Sequence, residues 1–278
     1  MDCIDALIMG IVQGLAEYLP ISSSGHLEIF REILGLDLPS DAALEFDLTL
    51  HVATVLSTIV VLWREFVPLC TSFFTFKRDD NFRYVLKILL SCIPVAIVGL
   101  CFKDFVEQFF GGGLTVVGIC LIITSLLLAF AYFTATLPEK KSPLLRRKEH
   151  DITWVDAFII GCAQAVAVLP GLSRSGTTIA TGLLLGDKRD KVAQFSFFMV
   201  IIPILGEALL DAKDLIGGTS ASSAAVGALP LAIGFIASFV VGCLACRWMI
   251  NLVKKGKLVW FALYCVLAGI LCITWSCF

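Results

Sequence analysis

Charge is scarce in this chain: Asp, Glu, Lys and Arg make up 16% of 278 residues, the formal net charge is -2, and there are three histidines. Nothing here resembles the basic surface that neutralises a nucleic-acid backbone, so a nucleic-acid partner is excluded. The first twenty residues contain no Lys or Arg. The charged start of a cleaved secretory signal is therefore missing, and the N-terminus is expected to belong to the mature fold. Repeated cysteine pairs are missing as well. Cys92, Cys101, Cys120, Cys162, Cys243, Cys246, Cys265 and Cys272 lie inside apolar runs, which argues against a disulfide framework. Cys243 and Cys246 have CxxC spacing but no second ligand pair, so a metal or redox role is not expected of them. No Walker A sequence occurs, and GLSRSG at 171 to 176 misses the GxSxG nucleophile elbow by one residue. Nucleotide hydrolysis and lipase chemistry both lose support.

Apolar residues, in contrast, are abundant. They make up 58% of the chain, and the mean hydropathy is +0.93; soluble domains sit at roughly 45–50% apolar. A soluble fold would have to hide runs of about twenty uncharged residues without the amphipathic pattern of a surface helix. The reading is an all-α integral membrane protein. Uncharged length gives spans at 84 to 102, 114 to 137, 225 to 246 and 258 to 278, with more polar spans at 46 to 63 and 192 to 210. Two further apolar stretches, 4 to 19 and 154 to 169, run into LPISSSGH and LPGLSRSG, where proline and glycine break them. After the second break only Thr177 to Leu185 precedes the charged DKRDK. Such a helix covers about 14 Å, roughly half of a hydrocarbon core, so the chain is expected to turn at mid-depth and leave by the face it entered. The expectation is six transmembrane helices plus two re-entrant helical hairpins.

Basic residues collect at 77 to 83, 140 to 148, 188 to 191 and 254 to 257, which places those loops in the cytoplasm. The loops at 103 to 113 and 211 to 224 have one lysine each beside acidic residues and fall on the opposite side. Threading backwards, the first broken segment enters from outside and the second from the cytoplasm.

The two broken segments are copies. DALIMGIVQGLAEYLPISSSG from Asp5 aligns with DAFIIGCAQAVAVLPGLSRSG from Asp156 at a constant offset of 151, matching Asp5/Asp156, Ala6/Ala157, Gly10/Gly161, Gln13/Gln164, Ser22/Ser173, Ser24/Ser175 and Gly25/Gly176. Three spans follow each copy, an odd number that inverts the second half. One membrane domain, 1–278, is thus read as a first repeat at 1–137 and an inverted second repeat at 152–278.

If both turns reach mid-depth, Glu17, Ser22, Ser23, Ser24 and His26 face Ser173, Arg174, Ser175 and Thr178. A buried Arg174 demands an anionic partner, because unpaired guanidinium in a membrane costs several kcal/mol. Two readings stand: an ion pair with Glu17 that merely closes the repeat interface, with serines as caps, or a phosphate site. The second is favoured by the concave turn GLSRSG, which offers two hydroxyls, a guanidinium and free amides at a helix start. Ser-Ser-Ser-Gly25 offers the same without the guanidinium. Ser, His and Glu together suggest hydroxyl or imidazole attack with proton management. His51, near Asp47, is read as structural, and His150 as a solvated loop residue.

At this point the chain resembles the bacitracin-resistance type of undecaprenyl-diphosphate phosphatase. Gln13 and Glu17, followed by PISSSGH, match its first signature, and Pro170 through Thr178 match Pro-Gly-x-Ser-Arg-Ser-x-x-Thr in full. The resemblance implies hydrolysis of the terminal phosphate of a polyprenyl diphosphate lipid, recycling the carrier for peptidoglycan synthesis and conferring bacitracin resistance, in a bacterial inner membrane. It also implies a divalent cation, Mg²⁺ or Ca²⁺. Carried over by residue, Arg174 binds the diphosphate, Glu17 holds the metal or acts as base, and Ser23 or His26 supplies the nucleophile or proton transfer. Gln13 joins Glu17 at the metal. Gln13, Ser22, Ser24, Gly25, Ser173, Ser175, Gly176 and Thr178 line the substrate site. Gln13 is a departure, because many members carry glutamate there and an amide brings no charge. The competing reading is a transporter or flippase of a lipid phosphate or small anion, since inverted repeats around a midplane site also suit alternating access. A pure scaffold leaves the polar set without a purpose. Membrane lipids are the expected surroundings, and a homodimer is left open.

Overall fold

The computed structural model describes residues 1–102, 113–136, 149–216 and 226–277. The loop at 103 to 112, the basic stretch 140 to 148 and residues 217 to 224, on which the orientation partly rests, lie outside the described residues. Among those described there are twelve α-helices and no strand. They are α1 Cys3–Ala16, α2 Ser23–Leu34, α3 Ser40–Val61, α4 Trp63–Phe74, α5 Asp80–Cys101, α6 Gly113–Thr136, α7 Trp154–Val166, α8 Arg174–Leu185, α9 Arg189–Met199, α10 Ile201–Ile216, α11 Ala228–Lys254 and α12 Val259–Trp275.

Both broken segments fold as helix–turn–helix hairpins, α1–α2 and α7–α8, with matching punctuation. Asp2 and Asp5 form a capping box on α1, and Thr153 and Asp156 form one on α7. Ser22 Oγ accepts the Gly25 amide at the start of α2, and Ser173 Oγ accepts the Gly176 amide at the start of α8. Each second helix ends on a left-handed glycine, Gly35 and Gly186. Every one of these pairs is 151 residues apart.

Among the described residues, four helices are long and apolar enough to cross a membrane: α3 over Ala42–Val61, α5, α6 over Gly113–Thr134, and α11. The chain is accordingly an integral membrane protein. Polarity is arranged as lipid requires. Leu100, Leu126, Leu244 and Leu271 are each at least 65% exposed, whereas Gln13, Thr54, Ser57, Ser91, Thr124 and Gln164 are buried. With no hydrophobic force between helices inside a bilayer, close backbone approach holds them together. α1 packs along α11, α7 along α5, and α6 along α12. A Cβ on Gly10 would stand 2.5 Å from the Gly234 carbonyl oxygen, and one on Gly161 would stand 2.4 Å from that of Ser91. Gly118 and Gly269, again 151 apart, touch each other, each with the other's carbonyl 2.7 Å from where a Cβ would be.

Two spans differ from expectation. The stretch 192 to 210 is not one helix but α9 and α10, parted at Val200. The physical reason is Pro203, which has no N–H to return to Met199; that carbonyl instead accepts the Cys92 thiol at 3.4 Å. The span at 225 to 246 continues to Lys254, and after the span at 46 to 63 a short helix, α4, follows.

The base of the second hairpin corrects the reading of His150. Its side chain is about one-third exposed and stands 3.3 Å from Asp187 and 3.8 Å from Asp156. An isolated parallel bridge joins His150 to Asp187. Burial, reinforced by the charge of Asp156, pushes the Asp187 carboxyl up to about 7.

Candidate active site

The two hairpins meet at their turns. Pro20 cannot donate to the helix it follows, so the chain leaves α1 after Ala16 and re-enters helix at Ser23. Ser22 bridges that corner at φ 73°, a left-handed conformation that a non-glycine residue adopts only at a cost of about 1–3 kcal/mol. Gly171, at φ 86°, makes the equivalent corner in the second hairpin. The turns touch reciprocally, with Gly25 against Gly171 and Gly176 against Pro20. Shifting each member of the first pair by 151 gives the second. Hydrogen bonds stitch them: the Gly171 amide donates to Ser24 Oγ at 3.4 Å, and Ser175 Oγ donates to the Leu19 carbonyl at 3.1 Å.

Across this junction runs the central interaction. Arg174 Nη2 donates to Glu17 Oε1 at 3.0 Å. The other carboxylate oxygen, Oε2, accepts from Ser23 Oγ at 2.8 Å and from Gln13 Nε2 at 2.9 Å. His51 Nε2 lies 3.6 Å from the same oxygen. Its Nδ1, 2.7 Å from the Asp47 carbonyl, is oriented as the donor there. The Glu17 side chain is 8% exposed and that of Arg174 27%. A cleft beside the pair is lined by Tyr18, Thr54, Thr58, Ser175, Ser196 and Phe197, among others. Arg174 also opens α8. Ser173 caps the Gly176 amide and its carbonyl accepts from Thr177, so the amides of Arg174 and Ser175 have no intrahelical acceptor. Free amides at a helix start beside a guanidinium suit a negatively charged group.

The remaining expected residues are placed as follows. Ser22 and Ser173 act as caps, Ser24 and Ser175 bridge the hairpins, and Gly25 and Gly176 allow the turns to approach. Thr178 Oγ1 bonds to the Arg174 carbonyl and to Ser196 Oγ. His26 is turned aside: Nδ1 donates to the Ser22 carbonyl at 2.8 Å, and Nε2 pairs with the Tyr264 hydroxyl at 2.7 Å. The ring also stacks on Tyr264, at 5.6 Å between centroids. Of the two nucleophile candidates, Ser23 alone bonds directly to Glu17.

The sequence names His51 as a structural residue near Asp47 but does not single out the stripe to which it belongs. His51, Thr54 and Thr58 fall three and seven residues along α3, a single helical face, and Ser57 lies beside it. Tyr18 donates its hydroxyl to the Thr54 carbonyl at 2.7 Å and is also hydrogen-bonded to Ser57 and Thr58. A polar stripe inside an otherwise apolar span was the available signal.

The family profile "Bacitracin resistance protein BacA" matches residues 6–271. The undecaprenyl-diphosphatase of Parabacteroides distasonis is 54% identical over 273 residues, covering 98% of each chain. That of Bacteroides fragilis is 52% identical over 276 residues, covering 99% of each. That of Carboxydothermus hydrogenoformans is 38% identical, covering 97% of this chain and 96% of its own. With the profile spanning nearly the whole sequence, the chain belongs to the bacitracin resistance protein BacA family.

Proposed function

We propose that Glu17, Arg174 and Ser23 are the reacting centre of an undecaprenyl-diphosphate phosphatase. The chain hydrolyses undecaprenyl diphosphate to undecaprenyl phosphate and inorganic phosphate, returning the lipid carrier to cell-wall synthesis and conferring bacitracin resistance. The observation that carries the residue assignment is the pairing of Glu17 with Arg174 across the two hairpins while Ser23 donates to that same carboxylate.

Arg174 and the amides of Arg174 and Ser175 receive the terminal phosphate, displacing the guanidinium from Glu17 as the anion enters. The freed carboxylate then takes the Ser23 proton. Ser23 Oγ bonds to the terminal phosphorus, the bridging P–O bond breaks, and undecaprenyl phosphate leaves with that bond's electron pair. Water next attacks the phosphoserine phosphorus; the P–Oγ bond breaks, protonated Glu17 returns its proton to Ser23 Oγ, and inorganic phosphate departs carrying the protons of the water. Tyr18 and its Thr54, Ser57 and Thr58 partners fix the wall of the cleft. Engaged by Ser22 and Tyr264, His26 positions the start of α2.

A divalent cation suits the same place. Gln13 Oε1 is buried and has no hydrogen-bond partner among the described residues, an oxygen donor to spare beside the Glu17 carboxylate. Hard oxygen ligands of this kind hold Mg²⁺ or Ca²⁺, with Gln13 and Glu17 as the protein's share. Bound there, the cation supplies neutralisation of diphosphate charge.

The topology we favour has six crossings and two re-entrant hairpins in a bacterial inner membrane. α9 and α10 share one crossing, and the 17-residue α12 makes the last. Supporting the inverted repeat are the matching caps, the reciprocal turn contacts and the Gly118–Gly269 contact, where a residue meets its own counterpart as on a two-fold axis. That symmetry also suits a carrier. Phosphate release from polyprenyl diphosphate in detergent separates the readings, measured for wild type and Arg174→Ala with Mg²⁺ and with EDTA. Full release by Arg174→Ala would sink the site, and lipid flux in liposomes without release would favour the carrier.

A further inference from the structure

A second polar cluster lies away from the hairpin turns, at the base of the second hairpin. His150, Asp156 and Asp187 present one ligand atom each within 4.8 Å of one another. They come from three places in the chain: the segment before α7, the first turn of α7, and the residue after the left-handed glycine that ends α8. Backbone geometry fixes them. The His150 amide donates to the Gly186 carbonyl at 3.1 Å and the Lys188 amide to the His150 carbonyl at 2.9 Å, so the two strands of chain run side by side.

Asp187 is the unusual member. Its side chain is 0% exposed, and among the described residues neither carboxylate oxygen has a hydrogen-bond partner. An uncompensated buried carboxylate costs several kcal/mol. The charges of His150 and Lys87 relieve it only in part. Lys87 Nζ donates to the Ile152 carbonyl at 2.7 Å and lies over the Trp154 ring, and Lys188 pairs with Asp151 at 3.1 Å. His150 Nδ1 is nearest, 3.3 Å from Asp187 Oδ1 and 3.1 Å from the Asp151 carbonyl, while Nε2 lies 3.3 Å from the Leu185 carbonyl; with the proton on Nε2 and donated there, Nδ1 is the nitrogen left to ligate a cation. Asp156, by contrast, is held in place: its Oδ2 accepts the Thr153 amide at 2.9 Å and the Thr153 hydroxyl at 2.5 Å.

We propose that His150, Asp156 and Asp187 bind a borderline divalent cation of the Zn²⁺ class, which clasps the two ends of the second hairpin. One imidazole with two carboxylates is a donor set for such an ion rather than for Mg²⁺ or Ca²⁺, which prefer oxygen alone. The spacing agrees. Ligands about 2.1 Å from a tetrahedral ion stand roughly 3.4 Å apart, and the nitrogen here is 3.3 and 3.8 Å from the two carboxylates. The first hairpin has no such clasp, because Leu36 occupies the place of Asp187. The clasp is therefore a property of one copy, independent of the Glu17–Arg174 site.

The test uses the full chain in detergent, stripped with EDTA and titrated with Zn²⁺ alone. Binding is read by calorimetry and metal content, and thermal stability is followed with and without Zn²⁺. Wild type and Glu17→Gln are expected to bind one equivalent and to melt at higher temperature with it. Asp187→Asn and His150→Gln are expected to bind at least tenfold more weakly and to lose the shift. His150→Gln changes a partly exposed side chain, which keeps the test open if Asp187→Asn fails to fold. No zinc bound by wild type, equal binding by His150→Gln, or binding lost in Glu17→Gln alone would each overturn the proposal.

Discussion

The two hairpins share a backbone and differ in what they carry. Caps, turn corners and terminal glycines recur at a spacing of 151, yet the reactive side chains do not. Glu17 corresponds to Val168, Ser23 to Arg174, and His26 to Thr177. One copy therefore holds the carboxylate and the hydroxyl, and the other holds the guanidinium. On the proposed mechanism neither binds and activates a phosphate alone, and neither charge is buried alone. The scaffold is kept where the chain must turn and is free to diverge where chemistry happens. Diverging in opposite electrostatic directions lets each buried charge neutralise the other, and on the proposed mechanism it also serves the reaction, because the pair opens when substrate arrives.

The largest expected effect comes from breaking that complementarity. Arg174→Ala removes the cation that meets the phosphate, and phosphate release should fall by about 10³-fold or more, in the range seen when a transition-state charge partner is lost. Glu17→Gln should be comparable. The double variant should be hardly worse than either single one, because the two groups act as a unit. Additive losses would show that they act separately, and the cross-hairpin reading would fail. Arg174→Lys keeps the charge but loses the planar fork, and it should recover only a small part of the activity.

Next in size is the hydroxyl. Ser23→Ala should lower turnover by about 10²- to 10⁴-fold with little change in KM, since attack rather than binding is lost. Ser22→Ala and Ser24→Ala act on caps and stitching, so their effect should appear in thermal stability, at about 1 kcal/mol. A single-turnover experiment on radiolabelled substrate should trap phosphate on wild type and not on Ser23→Ala. Absence of any covalent species in wild type would leave Ser23 as a ligand and make water the attacking group.

Much of this was legible before any coordinates. Glu17, Ser23 and Arg174 stood out because a charge or hydroxyl cluster in a very apolar chain must be paired, and the broken segments were visible because proline and glycine interrupt runs of leucine and isoleucine. The helices α3, α5 and α6 match the expected spans within a few residues, except that α3 starts about six residues early. The two failures share a cause. The division of 192 to 210 at Val200 depends on where the Met199 carbonyl finds a donor, and that donor is Cys92 on another helix. The nearness of His51 to Glu17 depends in the same way on which face of α3 meets that carboxylate. His150 likewise gains meaning from Asp187, 37 residues away in sequence. Local pattern reveals which residues need partners, and only packing reveals which partners they find.

A smaller effect should follow from testing the shared scaffold. Gly10→Val and Gly161→Val each press side-chain atoms against a neighbouring carbonyl, Gly234 in one half and Ser91 in the other. Overpacking of this kind costs about 1–3 kcal/mol. The two variants should lower the detergent melting temperature by similar amounts, because α1 on α11 and α7 on α5 are equivalent contacts. A large loss from one and none from the other would mean that the halves do not support the fold equally.

The smallest expected change concerns the glutamines that the halves still share. Gln13 and Gln164 are both buried, at 0% and 1% exposed. Gln13 Nε2 bonds to Glu17, whereas neither polar atom of Gln164 has a partner. Facing a carboxylate, Gln13 keeps its Oε1 available to a cation, and Gln13→Glu would add a second anionic ligand there. The Mg²⁺ concentration for half-maximal phosphate release should then fall several-fold, while turnover at saturating Mg²⁺ changes little. Gln164→Leu removes an amide that satisfies nothing and leaves an apolar group of similar size, a change expected to be near neutral in stability and without effect on the Mg²⁺ response. A Mg²⁺ response unmoved by Gln13→Glu would place the cation on substrate oxygens alone, and the divergence of the two copies would then begin at Glu17.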